Sequence, residues 1–270
     1  SANDEVLLIN LQGASGDIAD VGNYEFMKVS SVTTSTITFS TAITKTFAGT
    51  TASNQKVVIQ RVPQYTNVTL SGSGSLTASA WDSLTTIPTS AAGYLTGIVA
   101  FRATGTVTIG GGTSITVNNL GYRGGALVNS DYYVGNQGES IKAGTTSQSA
   151  NSSGGGNGWY DATSWSGGAS GGGGGGYGAG GSDGGAAGSQ PGGTAGSALG
   201  NSSLTLLYSG RGGGSGGNTC GGRGATGGNG GGIVFIGTNT ISVIGSITAN
   251  GQNALTNNSS YTPCHAGFTG

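Results

Sequence analysis

Thr106-Val107-Thr108-Ile109, a glycine turn and Ser114-Ile115-Thr116-Val117-Asn118-Asn119 return more than a hundred residues later as Thr240-Ile241-Ser242-Val243, a turn at Gly245 and Ser246-Ile247-Thr248-Ala249-Asn250. Gly97-Ile98-Val99 leads into the first copy and Gly232-Ile233-Val234 into the second. A weaker third copy reads Asn67-Val68-Thr69-Leu70, a turn over 71–74 and Ser75-Leu76-Thr77-Ala78. Each copy holds two short strands with alternating apolar residues and a Gly/Ser corner between them. One coil of a parallel β-solenoid has this pattern: a coil cannot bury its apolar face alone, so coils stack and share a core. Hairpins of a β-sandwich also combine alternation with glycine, and both architectures stay open at this point. If the copies stack, the chain leaves them near residue 121 and returns near residue 231.

Upstream of the copies the sequence is strand material. Val6-Leu7-Leu8-Ile9-Asn10-Leu11 is an apolar run of strand length, while Tyr24-Glu25-Phe26-Met27-Lys28-Val29 and Ser35-Thr36-Ile37-Thr38-Phe39 alternate, and Lys56-Val57-Val58-Ile59 closes the set. Four or five short antiparallel strands in about sixty residues predict a small barrel or sandwich. Helical spacing at i, i+3, i+4 and i+7 is missing throughout, so the expected class is all-β. The predicted organisation is a small β module over 1–63, solenoid-like coils over 64–142, a glycine-rich excursion over 143–231, and a returning coil with a tail over 232–270.

The excursion carries the composition. Of 59 glycines in 270 residues, 36 fall between positions 154 and 232. Such a run reads by default as a flexible spacer. Trp159, Tyr160, Trp165, Tyr177, Leu204, Leu206, Leu207 and Tyr208 punctuate it, however, which a Gly/Ser spacer does not need. Ordering a residue costs about 1–2 kcal/mol of backbone entropy, and glycine loses most. A net hydrogen bond returns only about 0.5–1.5 kcal/mol. Order therefore requires nearly every backbone N–H and C=O to pair. Polyproline II strands without side chains can approach closely enough for that, since they make no internal hydrogen bonds and repeat every three residues. The expectation is a bundle of polyglycine II helices with Trp and Tyr on its faces. Collagen is excluded by four prolines and the lack of a strict Gly-X-Y period.

Charge is scarce, at 7% of residues, and the net charge is −1. No basic footprint for nucleic acid or an anionic membrane is present. No apolar run is long enough for a transmembrane segment. No leader-like segment opens the chain, so a secreted form implies a leader removed or lying outside this stretch. One histidine and two cysteines leave little for metal binding, and no cofactor is expected. Cys220 and Cys264 are candidates for a single disulfide, worth about 3–4 kcal/mol over such a loop and implying an oxidising compartment; free or intermolecular thiols are the other reading. His265 beside Cys264 lacks an orienting acid. Asp161 and Asp183 are the only acids of the excursion, and Asp82, Asp131 and Glu139 follow no glycosidase spacing. The glycine runs match no phosphate loop. Trp159, Tyr160, Trp165 and Tyr177 either stack on sugar rings or plate the bundle.

The residues Asp4-Glu5-Val6-Leu7-Leu8-Ile9, Arg61-Val62-Pro63-Gln64-Tyr65, Ala80-Trp81-Asp82, Gly97-Ile98-Val99-Ala100-Phe101-Arg102-Ala103 and Gly121-Tyr122-Arg123-Gly124-Gly125 carry a resemblance. Over 4–125 and 231–252 the chain resembles bacterial secreted and cell-surface glycine-rich β proteins, a family with no settled activity to lend. In texture the glycine-rich stretch is similar to the polyglycine II domains of T-even phage tail-fibre tip adhesins and of anaplastic lymphoma kinase. That likeness implies binding through exposed ends or loops but transfers no residue.

The expected role is that of an extracellular, non-enzymatic structural protein, a self-associating subunit of a surface filament, sheath or layer. Its partner would be itself. The candidate edges are Val6, Leu8 and Leu11 on the first strand and Ile241, Val243 and Ile247 on the last coil. An adhesin gripping a glycan or cell-surface receptor through loops and aromatics is the alternative, and a polysaccharide-active enzyme on a solenoid is a distant third.

Overall fold

Eleven strands and no helix make up the regular structure of the computed structural model, which describes residues 1–14, 16–51, 55–83, 96–128, 133–160, 169–200, 202–219 and 224–255. The chain divides into two units: residues 1–121, 200–209 and 231–250 form one, and 122–199, 210–230 and 251–270 the other.

In the first unit, the apolar run forms β1 (Glu5–Gln12) at the centre of a four-stranded antiparallel sheet. β2 (Tyr24–Val32) pairs one side of it and β4 (Lys56–Arg61) the other, and β3 (Ile37–Phe39) lies outside β2. Val6 and Leu8 pack with Met27 and Val29 on one face. Leu7, Ile9 and Leu11 point to the opposite face and are equally buried. That second face lies against later strands: Phe26, the register partner of Leu7, has its ring 4.3 Å from that of Phe235. The expected barrel does not form. This sheet is open, with three-residue β3 at one edge and β4 at the other, and the two edges do not pair with each other.

The repeat copies supply the rest. β5 (Gln64–Tyr65) precedes the weak copy, β6 (Val68–Leu70) and β7 (Ser75–Leu76) come from it, β8 (Ile98–Ile109) and β9 (Ser114–Thr116) from the first, β10 (Ile233–Val243) and β11 (Ser246–Thr248) from the second. β8 lies between β10 and β5/β6, β9 lies between β11 and β7, and every pairing is parallel. The register follows the sequence repeat. Val68, Val107 and Ile241 align, as do Leu70, Ile109 and Val243, and Leu76, Ile115 and Ile247. Val99, Phe101, Ala103, Val107, Ile109, Ile115 and Val117 make the core beneath. Polar ladders follow the same layers: the Ser75 and Ser114 hydroxyls lie 2.7 Å apart, and Thr248 Oγ1 donates to Thr116 Oγ1 at 3.0 Å.

Strand β8 is covered on both faces. Ile98 and Ala100 are buried toward the N-terminal sheet, and Arg102 on that face pairs with Glu5 at 2.7 Å. Its guanidinium also lies over Phe26 and Phe235, at 4.8 and 5.2 Å from the ring centroids. Arg102→Lys keeps the charge but loses the planar group that lies against both rings. We expect a loss of about 1 kcal/mol in urea unfolding; an unchanged midpoint would mean that the ion pair alone matters.

The second unit is held differently. Segment 210–217 runs among its neighbours with a period of three. The N–H groups of Gly212 and Ser215 donate to the carbonyls of Glu139 and Asn136, those of Gly213 and Gly216 to Gly228 and Ala225, and those of Gly214 and Gly217 to Gly173 and Ser170, all at 2.8–3.1 Å. In return, the Gly210 and Gly213 carbonyls accept from Tyr122 and Gly125, and those of Gly212 and Ser215 accept from Gly155 and Gly158. A β-strand with its period of two serves two neighbours; this segment serves five. Absent side chains make the approach possible. A Cβ on Gly214 would lie 1.9 Å from the Gly156 carbonyl oxygen, and one on Gly155 would lie 1.8 Å from that of Gly173.

Candidate functional site

The two outer layers of the parallel stack differ from the middle one in exposure. In the middle layer Val107, Ile109 and Ile115 are 0% exposed. Their register partners on the last layer are not: Ile241 and Val243 are 46% exposed and Ile247 37%. On the opposite side Leu76 is also 37% exposed. Alternation aligns these side chains with the buried ones of the middle layer, and among the described residues no further strand pairs with either outer layer. A cleft of about 1150 Å³ opens on the β5–β7 side, lined by Leu70, Leu76, Ala78 and Phe101 from the stack and by Ile59 and Arg61 from β4. On the β10–β11 side, the turn residue Ile244 is 76% exposed.

Both open edges are uncharged. No Asp, Glu, Lys or Arg occurs in residues 64–79 or 231–255. The edge strand β4 of the N-terminal sheet, in contrast, carries Lys56 and Arg61. Charges of this kind blunt an edge against pairing with another chain. The expected edge at Val6, Leu8 and Leu11 is corrected here: these residues are buried in β1, which is paired along both sides. Ile241, Val243 and Ile247 lie on β10 and β11, which end their sheets.

Among the aromatic candidates, Trp159 and Tyr177 are exposed and Tyr160 is half-buried. Tyr177 stacks on Arg211, whose guanidinium lies 5.4 Å from its ring centroid and 5.8 Å from that of buried Tyr122. Arg211 is itself buried and donates from Nε to Ser153 Oγ at 2.7 Å. The sequence reading overlooked both Arg211 and Tyr122. Trp165, Cys220, Cys264 and His265 lie outside the described residues, as do Asp131 and Asp161.

The acids that remain are engaged locally. Glu139 pairs with Arg123 at 2.6 Å, and Asp183 accepts the Ala195 amide at 2.6 Å. Among the described residues no three His, Cys, Asp or Glu side chains gather as metal ligands, and no helix is long and apolar enough to cross a membrane. No family model, curated protein or solved structure matches this chain.

Proposed function

We propose that this protein is a non-enzymatic extracellular building unit that self-associates into a surface filament, sheath or layer. In this reading the parallel stack is a three-coil β-solenoid and the glycine-rich unit is a bundle of polyglycine II helices. The period-three hydrogen bonding around 210–217 supports the second assignment, because a polyproline II-type strand repeats every three residues.

One observation carries the self-association. A solenoid that ends its life as a monomer needs capping repeats with a polar outer face. Here the apolar columns run to both ends of the stack, with Ile241, Val243, Ile247 and Leu76 open and no charged residue within the edge strands β5–β7 and β10–β11. An outer surface of Ser, Thr, Asn and Gly with a net charge of −1 suits close packing of copies, because little self-repulsion opposes it. Sedimentation velocity over a hundredfold range of concentration tests the reading. We expect growth into large species; a single subunit at every concentration would overturn it.

A second reading, an adhesin, draws on Trp159, which is exposed at the margin of the glycine-rich unit. A glycan array with Trp159→Ala beside the unaltered protein separates the two. Loss of a specific signal would favour the adhesin, and no signal from either protein would favour the building unit.

A further inference from the structure

We infer that copies join by unlike ends: the β10–β11 edge of one copy docks on the β5–β6–β7 edge of the next and continues the parallel stack. This rests on the self-association proposed above and adds its partner surface and polarity.

Inside one chain, a β5–β7 layer meets β8–β9, and β8–β9 meets β10–β11, through the same register and the same direction of strands. The free side of β10–β11 is the side that β8–β9 offers to the layer above it. The free side of β6–β7 is the side that β10–β11 offers to the layer below. Placing one on the other thus repeats the pairing that residues 64–65, 68–70 and 75–76 already make with β8 and β9. Ile241 would meet Val68 of the next copy, Val243 its Leu70, and Ile247 its Leu76. Ser246 would extend the ladder that Ser75 and Ser114 begin.

Like-to-like pairing lacks this match. A two-fold contact between two β10 edges sets them antiparallel, whereas every strand pair in the stack is parallel. Of the two edges of the N-terminal sheet, β3 is only three residues long, and β4 carries Lys56 and Arg61, so two copies meeting there would set like charges together. A contact between unlike ends that does not close on itself generates an open filament.

The test uses complementary blocks. Val243→Lys charges the β10–β11 edge and leaves β5–β7 intact; Leu76→Lys does the reverse. Far-UV circular dichroism and thermal melting establish that each is folded. Ile244→Lys repeats the experiment on the β10–β11 edge at a position that is 76% exposed, and Ser75→Lys repeats it on the β5–β7 edge at an exposed position, where it also removes the Ser75–Ser114 hydrogen bond. We expect each variant alone to sediment as one subunit, and an equimolar mixture to form a species of two subunits that grows no further. Variants that dimerise alone would show like-to-like pairing, and variants that polymerise as well as the parent would place the contact elsewhere. Both results overturn the inference while self-association stands. A parent that never associates overturns both.

Discussion

Gly214→Ala is expected to unfold the glycine-rich unit or to cost it at least about 3 kcal/mol. The added methyl carbon would sit 1.9 Å from the Gly156 carbonyl oxygen, far inside contact distance. That oxygen cannot simply retreat, because it accepts the Gly173 N–H at 2.8 Å, and the Gly156 N–H in turn donates to Thr194 at 2.8 Å. Moving one backbone therefore breaks hydrogen bonds in its neighbours. Flexible side chains would absorb such a clash by changing rotamer, but here the colliding atoms are main chain. Gly185→Ala is the matched control. Nothing lies within 4 Å of its Cβ position, so stability should stay level or rise by up to about 1 kcal/mol through a less flexible unfolded chain. Chemical denaturation of the two variants beside the parent checks the pair. Equal, small effects would mean that glycine is present for flexibility and not for close approach.

The second large effect belongs to the parallel stack. Ile115→Ala should cost about 2–5 kcal/mol, the range for truncating a fully buried isoleucine. Its register partner Ile247 is 37% exposed, and Ile247→Ala in the isolated subunit should cost less than half as much. In the proposed assembly the two sites would become alike, because a docked copy would cover Ile247. Thermal melts at low and high protein concentration read this directly. The Ile247→Ala penalty should grow with concentration while the Ile115→Ala penalty stays constant. A concentration-independent difference would argue that the last layer stays uncovered.

Much of the strand stack was legible because its signal is periodic. Thr106-Val107-Thr108-Ile109 and Thr240-Ile241-Ser242-Val243 align in sequence and then residue for residue in space. Even the weak copy at Val68–Leu70 takes the register its pattern implies. Parallel pairing stacks equivalent residues, so similarity along the chain becomes proximity across it.

The N-terminal edge was misread for an equally physical reason. Val6-Leu7-Leu8-Ile9 does not alternate, and an unbroken apolar run marks a strand covered on both faces. Sequence showed that β1 is strongly apolar, but only the pairing with β2 and β4 revealed it as the centre of a sheet. The same information would have separated an open sheet from a barrel, since three-residue β3 and β4 end the sheet without pairing with each other. In the glycine-rich unit, local sequence contains no register at all. Gly212, Gly213 and Gly214 are chemically identical yet donate to three different segments, so their partners follow from the packing alone. Arg211 was overlooked because one charge among glycines reads as solvated, whereas it is buried between Tyr122 and Tyr177.

The claim beneath all of this is that main chain bound to main chain gives the glycine-rich unit a solid interior. Amide hydrogen exchange at Gly212, Gly213 and Gly214 tests it most directly, because their N–H groups donate to Glu139, Gly228 and Gly173 at 3.0, 2.9 and 2.8 Å. We predict exchange slower than in a free peptide by a factor of about a thousand or more, comparable with the amides of β8. Exchange at the free-peptide rate while β8 remains protected would contradict the account.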